Sequence, residues 1–233
     1  MYCPCNHVPI NEWSSMETPP VEEICRRFGK LYVAAIADAL DDAGLWHQVM
    51  TDVLPLTTDM AVAGVAFTAL GRPERSTDRS VRLGARMIDE LSAGEVAVFD
   101  CAGDRTVGHW GELLTNGAMA RGAVGAVIDG GVRDTGAILP LKFPVFNRFR
   151  SARDAKGRWN VVDMQSPVVC GGVPVHPGDI IVGDSDGVVV VPRAIAMDVL
   201  VEAEATVRTE TEIRQRVRAG ESVGALYQQY ERF

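Results

Sequence analysis

The apolar positions of this chain change period repeatedly, and the changes mark out its elements. Val21, Ile24, Cys25 and Phe28 recur at helical spacing, as do Val33, Ile36, Ala37 and Leu40. The pattern therefore predicts helices over 21–28 and 31–42, the second stopped by Gly44. Met60–Leu70 (MAVAGVAFTAL) is a nearly unbroken small-apolar run, the mark of a strand buried on both faces. A polar loop over 72–79, a helix over 82–91 ending before Gly94, and a second buried strand over 95–101 follow. The polar run 103–110 reads as a glycine-bearing loop, Gly111 opens a short helix, and Ala123–Ile128 is an inner strand that ends where Gly130-Gly131 turns the chain sharply. Next come a helical turn from Ile138, a strand over 144–149 and a charged loop over 151–159. Short β-branched runs at 160–169, 173–175, 180–182 and 188–191, separated by glycine-rich turns, predict a compact barrel or sandwich. A long helix over 194–219 and a short one over 222–232 close the chain. The long helix lies outside the β unit, which makes it a candidate for packing on a neighbouring subunit. Residues 1–18 lack periodicity and read as a tail, leaving 19–233 as one domain.

Composition adds mainly exclusions. In 233 residues, 47% are hydrophobic, enough for a large core, and 23% are charged. The net charge of −8 argues against a nucleic-acid surface, which would need a basic stripe. No run approaches the ~20 apolar residues of a membrane span, and no charged start precedes an apolar run as in a signal peptide. With five cysteines, an odd number, the expectation is reduced thiols in the cytoplasm. Lys30, Lys142 and Lys156 are the only lysines, so candidates for a Schiff-base nucleophile are few. Cys3, Cys5 and His7 are spaced too tightly for common zinc patterns and lack a fourth ligand.

The chemistry concentrates in Gly111–Asp134 (GELLTNGAMARGAVGAVIDGGVRD), where charge falls only at the loop ends of a helix and a strand. The first-turn N–H groups of the helix at Gly111, Glu112, Leu113 and Leu114 lack intrahelical partners and attract an anion. Arg133 offers a planar fork for a carboxylate, and Asp134 suits a hard cation. A lone Asp suffices only where the substrate itself chelates the metal, as a 2-oxo acid does through a carboxylate and its keto oxygen. That is the chemistry of retro-aldol cleavage or oxo-acid decarboxylation. The plain alternative is an exposed Arg-Asp pair of little energetic worth. No G-x-G-x-x-G or G-K-[ST] opens the helix, which argues against NAD, FAD, ATP and S-adenosylmethionine. His109 is either a general base near the helix start or an ordinary loop residue. Arg148 or Arg150 could read a distal carboxylate, with one of the two facing away. Asp184 and Asp186 (GDSDG) are either a metal pair or a turn, and Asp38, Asp41 and Asp42 either a metal cluster or a solvated helix face.

The runs WGELL…ARGAVGAVIDGGVRD, FPVF and PGDIIVGDSDGVVVVP resemble the ribonuclease-activity-regulator-A-like family over about residues 31–220. That family includes the class II 4-hydroxy-4-methyl-2-oxoglutarate/4-carboxy-4-hydroxy-2-oxoadipate aldolases. The resemblance implies an α/β/β swivelling-type fold and a homotrimer or homohexamer with active sites at subunit interfaces. It implies a lyase that cleaves a 4-hydroxy-2-oxo acid to pyruvate through a metal-stabilised enolate, with oxaloacetate decarboxylation as a side activity. It also implies that Gly111, Glu112, Leu113 and Leu114 cradle the pyruvyl carboxylate through backbone groups, that Arg133 holds the same moiety, and that Asp134 binds Mg²⁺ or Mn²⁺. The aldolase pattern continues Arg-Asp-x-x-acid, and the corresponding residue here is Ala137. Glu112, on the same rim, is either a compensating acid that points at metal water or the substrate hydroxyl, or an ordinary first-turn Glu. The alternative function within the family is a non-catalytic protein-binding regulator.

Overall fold

The computed structural model describes residues 19–78 and 83–230; residues 1–18, with the Cys3/Cys5/His7 group, lie outside the described residues. Two helices, α1 (Val21–Phe28) and α2 (Val33–Asp42), precede β1 (Leu54–Pro55) and β2 (Val62–Pro73). Then α3 (Gly84–Glu90), β3 (Glu95–Asp100), β4 (Gly108–Trp110), α4 (Glu112–Ala120), β5 (Gly125–Val132), α5 (Thr135–Ile138) and β6 (Val145–Arg150) alternate. The chain ends with β7 (Trp159–Met164), β8 (Val168–Cys170), β9 (Val173–Val175), β10 (Ile180–Asp184), β11 (Gly187–Val191), α6 (Ala196–Arg218) and α7 (Val223–Tyr230).

Nine strands form one sheet in the order β1-β6-β5-β3-β2-β10-β11, with β4 added on β5 and β7 on β2. The pairs β2–β3, β3–β5, β5–β6 and β4–β5 are parallel, so their carboxyl ends point the same way. Residues 48–50 bond to β11 through Met50 N–H to Val188 O and Val190 N–H to Gln48 O. Because β1 follows directly and pairs with β6, the two sheet edges are drawn together into a nearly closed barrel. The alternation of side chains then sorts the core. Val96, Val98, Val188 and Val190 point into the barrel, which the β8–β9 hairpin plugs with Val168, Cys170, Val173 and Val175. The other face carries Ala97 and Phe99 against α3, α4 and α5 on one side. On the other side Val189 and Val191 pack against α1, α2 and α6. The hairpin turns on Gly171 and Gly172, both at positive φ as a two-residue loop requires.

The β-rich stretch after residue 159 does build a barrel, together with the earlier strands: β7, β10 and β11 complete the main sheet, and only β8–β9 stands apart. The long helix α6 buries Ala196, Val199, Leu200 and Ala203 within its own chain, beside Ile36 and Leu40 of α2. One expectation changes: Gly130-Gly131 is not a turn, since β5 runs through it to Val132. Among the described residues no helix is long and apolar enough to cross a membrane.

Candidate active site

The site grows from the carboxyl ends of β4 and β5. Their alignment brings Arg133 N–H to Trp110 O at 2.9 Å, which sets the residue after β5 beside the start of α4. That helix start is fastened from below. The Trp110 indole Nε1 donates to Thr115 Oγ1 at 2.8 Å, and the Thr115 hydroxyl donates to Gly111 O at 3.0 Å. No side chain caps α4, because its N-cap is Gly111. The first-turn N–H groups of Glu112, Leu113 and Leu114 therefore face the rim without a protein cap.

Asp134 takes the left-handed conformation, φ 57° and ψ 29°, and this single residue makes the turn out of β5. Its carboxylate is folded back over Gly111, where a Cβ would lie 2.8 Å from Asp134 Oδ2 and 3.2 Å from Arg133 Cγ. Only glycine leaves the backbone bare at that point. Arg133 Nε donates to Asp134 Oδ2 at 3.2 Å, and Arg133 Nη1 lies 3.2 Å from Asp154 Oδ1. The Arg133 and Asp134 side chains are 35% and 43% exposed, so they stand on an open rim. The structure thus brings Gly111 together with Arg133 and Asp134, from the two ends of the Gly111–Asp134 stretch, at one point where an anion and a cation can both be held. Asp154, on the loop after β6, belongs to this cluster. Its position in a run of alternating charges carried no local sign of it.

The remaining candidates separate from this point. The Glu112 carboxylate accepts a hydrogen bond from Asn116 Nδ2 one turn along the same helix, and no hydrogen bond or ion pair joins it to Arg133 or Asp134. Leu113 is 80% exposed, whereas Leu114 packs on the core. Both can serve the rim only through their backbone groups. Ala137 is exposed on α5 and its N–H closes the turn to Asp134 O, so no acid stands there. His109 is buried, with Nδ1 accepting the Gly131 N–H at 2.9 Å. Burial holds its pKa below the usual histidine value against the opposing pull of Asp104. It does not reach the rim as a base.

Arg148 is spent on buried Asp129, with Asp52 at 3.7 Å, and Arg150 donates to Leu56 O at 3.2 Å. Asp184 caps α2 by accepting Val33 N–H at 2.8 Å and closes its own turn through Asp186 N–H at 2.9 Å, so GDSDG is a turn. Asp38, Asp41 and Asp42 line a small cleft between α2 and α6 with Trp46 and Glu210, away from the rim. Cys101 and Cys170 are fully buried, and burial pushes both thiols well above their ordinary range, which removes them as nucleophiles.

Among the described residues no group of three or more His, Cys, Asp or Glu is gathered for a metal. Over Gly111 the donor set is one carboxylate, Asp134, engaged by Arg133 through one oxygen, while the Asp154 carboxylate sits on the other arm of Arg133. That set fits a hard cation whose remaining positions are filled by water and by a chelating substrate, and fits no all-protein cage.

Residues 33–190 match the family model described as RraA-like, Aldolase/RraA. Protein DlpA of Legionella pneumophila subsp. pneumophila is 30% identical over 222 residues, 95% of this chain; the chain spans only 36% of that relative's length. A Halalkalibacterium halodurans protein named "Putative 4-hydroxy-4-methyl-2-oxoglutarate aldolase" is 36% identical over 190 residues, covering 82% of this chain and 86% of the relative. Among solved structures, Streptomyces coelicolor RraAS2, described as an unusual member of the RNase ES inhibitor RraA protein family, superposes with a TM-score of 0.77. Its identity is 27%, over 83% of this chain and 98% of that one.

Proposed function

The chain belongs to the RraA-like family, and on that premise we propose that it is a divalent-metal-dependent lyase. It cleaves a 4-hydroxy-2-oxo acid to release pyruvate, and it decarboxylates oxaloacetate at the same site. The observation that carries the reading is the contact of Gly111 with Arg133 and Asp134. A bare helix N-terminus, a guanidinium and a carboxylate converge so closely that a Cβ on Gly111 would lie 2.8 Å from Asp134 Oδ2 and 3.7 Å from Arg133 Nε. Free N–H groups and Arg133 together suit the C1 carboxylate of a 2-oxo acid, which can accept from both at once. Holding that carboxylate there orients the adjacent 2-oxo oxygen toward Asp134. Asp134 is the residue that would hold Mg²⁺ or Mn²⁺, which when bound supplies Lewis-acid polarisation of the 2-oxo group. Glu112, bonded to Asn116, is not placed to take the proton of the 4-hydroxyl, so solvent at the open rim receives it. Among the described residues the rim leaves the distal half of a substrate open, with the Arg133 and Asp134 side chains 35% and 43% exposed. A second copy supplies a wall there in the homotrimer or homohexamer we assign, and sedimentation at micromolar concentration tests the assembly. The direct test of function is pyruvate detection across 4-hydroxy-2-oxo acids and oxaloacetate, with Mg²⁺ or Mn²⁺ and then with chelator.

A second reading is a non-catalytic protein-binding regulator. Ala137, where the aldolase pattern has an acid, favours it. It predicts partner binding that survives Asp134→Ala and no pyruvate from any substrate.

A further inference from the structure

The proposed site depends on a break in β5 that a side chain fills. The β5–β6 register shifts between Ile128 and Gly131, and the β4–β5 register shifts between Gly108 and Trp110. Both irregularities fall beside Gly131, whose N–H donates to a side chain, His109 Nδ1, at 2.9 Å. The ring lies so close that a Cβ on Gly130 would be 2.5 Å from Nδ1. A Cβ on Gly131 would be 2.2 Å from Val107 O. The glycine pair thus leaves room for an imidazole and for the backbone leading into β4. The ring itself has little freedom: its side chain is fully buried. It meets Trp159 edge-on at 4.6 Å and Phe149 at 6.5 Å. Because Nδ1 accepts, the proton of the neutral ring sits on Nε2, which is buried without a hydrogen-bond partner among the described residues and has Asp104 Oδ2 nearby at 3.6 Å. Asp104 is itself fixed by accepting Thr106 N–H at 2.6 Å. One residue beyond His109, Trp110 O accepts the N–H of Arg133.

From this geometry we infer that His109 is a positioning residue for the rim. Held by its packing against Trp159 and Phe149, it accepts the Gly131 N–H at the break in β5 and so sets the register at which Arg133 and Asp134 close over Gly111. Its role in the reaction rests on the lyase reading; its hydrogen bond does not. The acceptor matters, and the basicity of the ring does not. An Asn carries its Oδ1 at nearly the same reach as Nδ1, whereas a Gln places its oxygen one bond further out and a Leu has none.

The full chain carrying His109→Asn, His109→Gln or His109→Leu tests this with two readouts. The first is exchange of the Gly131 amide with deuterium, together with imidazole nitrogen shifts in the unsubstituted protein. The second is kcat and KM for pyruvate release. The nitrogen shifts should show a neutral ring protonated on Nε2. Gly131 exchange should quicken about tenfold or more with Gln and return to within about threefold with Asn, the scale of one lost buried hydrogen bond. The kcat/KM for pyruvate release should follow the same order. Equal Gly131 exchange in the Asn and Gln proteins, or an Nε2 without a proton, overturns the inference. Where the Leu protein fails to fold, the Asn–Gln pair decides. Absence of pyruvate release by the unsubstituted chain would count against the lyase reading alone, since the exchange arm needs no substrate.

Discussion

Gly111 and Asp134 are packed so closely that one added methyl group on the glycine would stand 2.8 Å from the Asp134 carboxylate. Gly111 has φ −158° and ψ −173°, an extended conformation open to any residue, so the constraint comes from the neighbour and not from the backbone. Gly111→Ala should therefore displace Asp134 and Arg133 while barely touching the fold. The expected outcome is a loss of pyruvate release of about tenfold or more with a stability change below about 1 kcal/mol. Steady-state kinetics paired with thermal unfolding checks both halves.

Asp154 occupies one arm of the Arg133 fork at 3.2 Å, where a substrate carboxylate would bind. Its side chain is 59% exposed, so the pair contributes little to stability. Asp154→Asn should free that arm. The predicted result is a KM for pyruvyl substrates lowered roughly two- to fivefold, the range an exposed ion pair of up to about 1 kcal/mol allows, with unfolding unchanged. A raised KM would instead mark Asp154 as an orienting partner of Arg133.

His109 gives the fold an acid-sensitive component. Its folded pKa is lowered, chiefly by burial, from the ordinary 6.5. The unfolded chain therefore takes up a proton there before the folded chain does. The stability from this group is complete above pH 6.5 and is lost as pH falls from 6.5 toward the folded pKa, with a slope no steeper than about 1.4 kcal/mol per pH unit. Denaturant unfolding at pH 7.5, 6 and 5 should show a difference between the native chain and His109→Asn that shrinks with falling pH. A difference that grows on acidification would contradict this.

Much of this arrangement was legible in the sequence because it is local. The helix start at Gly111 and the Arg133-Asp134 pair after a buried strand fall where the apolar pattern places them, and α1, α2, β3 and α6 match their periodicity within a few residues. What the sequence withheld was set by partners distant along the chain. Gly130-Gly131 carries the composition of a turn, yet it is extended because the backbone leading into β4 and the His109 ring need the space. Gly108–Trp110 is too short and polar to announce a strand; pairing with β5 makes it one. Glu112 bonds to Asn116 one turn along its own helix, a rotamer choice no spacing encodes. Asp154 reaches Arg133 only because residues 151–154 bond back to β4, through Gly108 N–H to Arg153 O at 2.9 Å.

The most direct measurement is pyruvate release from a 4-hydroxy-2-oxo acid with Mg²⁺ or Mn²⁺, compared between the native chain, Asp134→Ala and Arg133→Ala. The account predicts release that stops with chelator and falls by about a hundredfold or more in both variants, the scale of lost charge stabilisation at the reacting group. Release that survives Asp134→Ala, or no release from any such acid or from oxaloacetate, would contradict it.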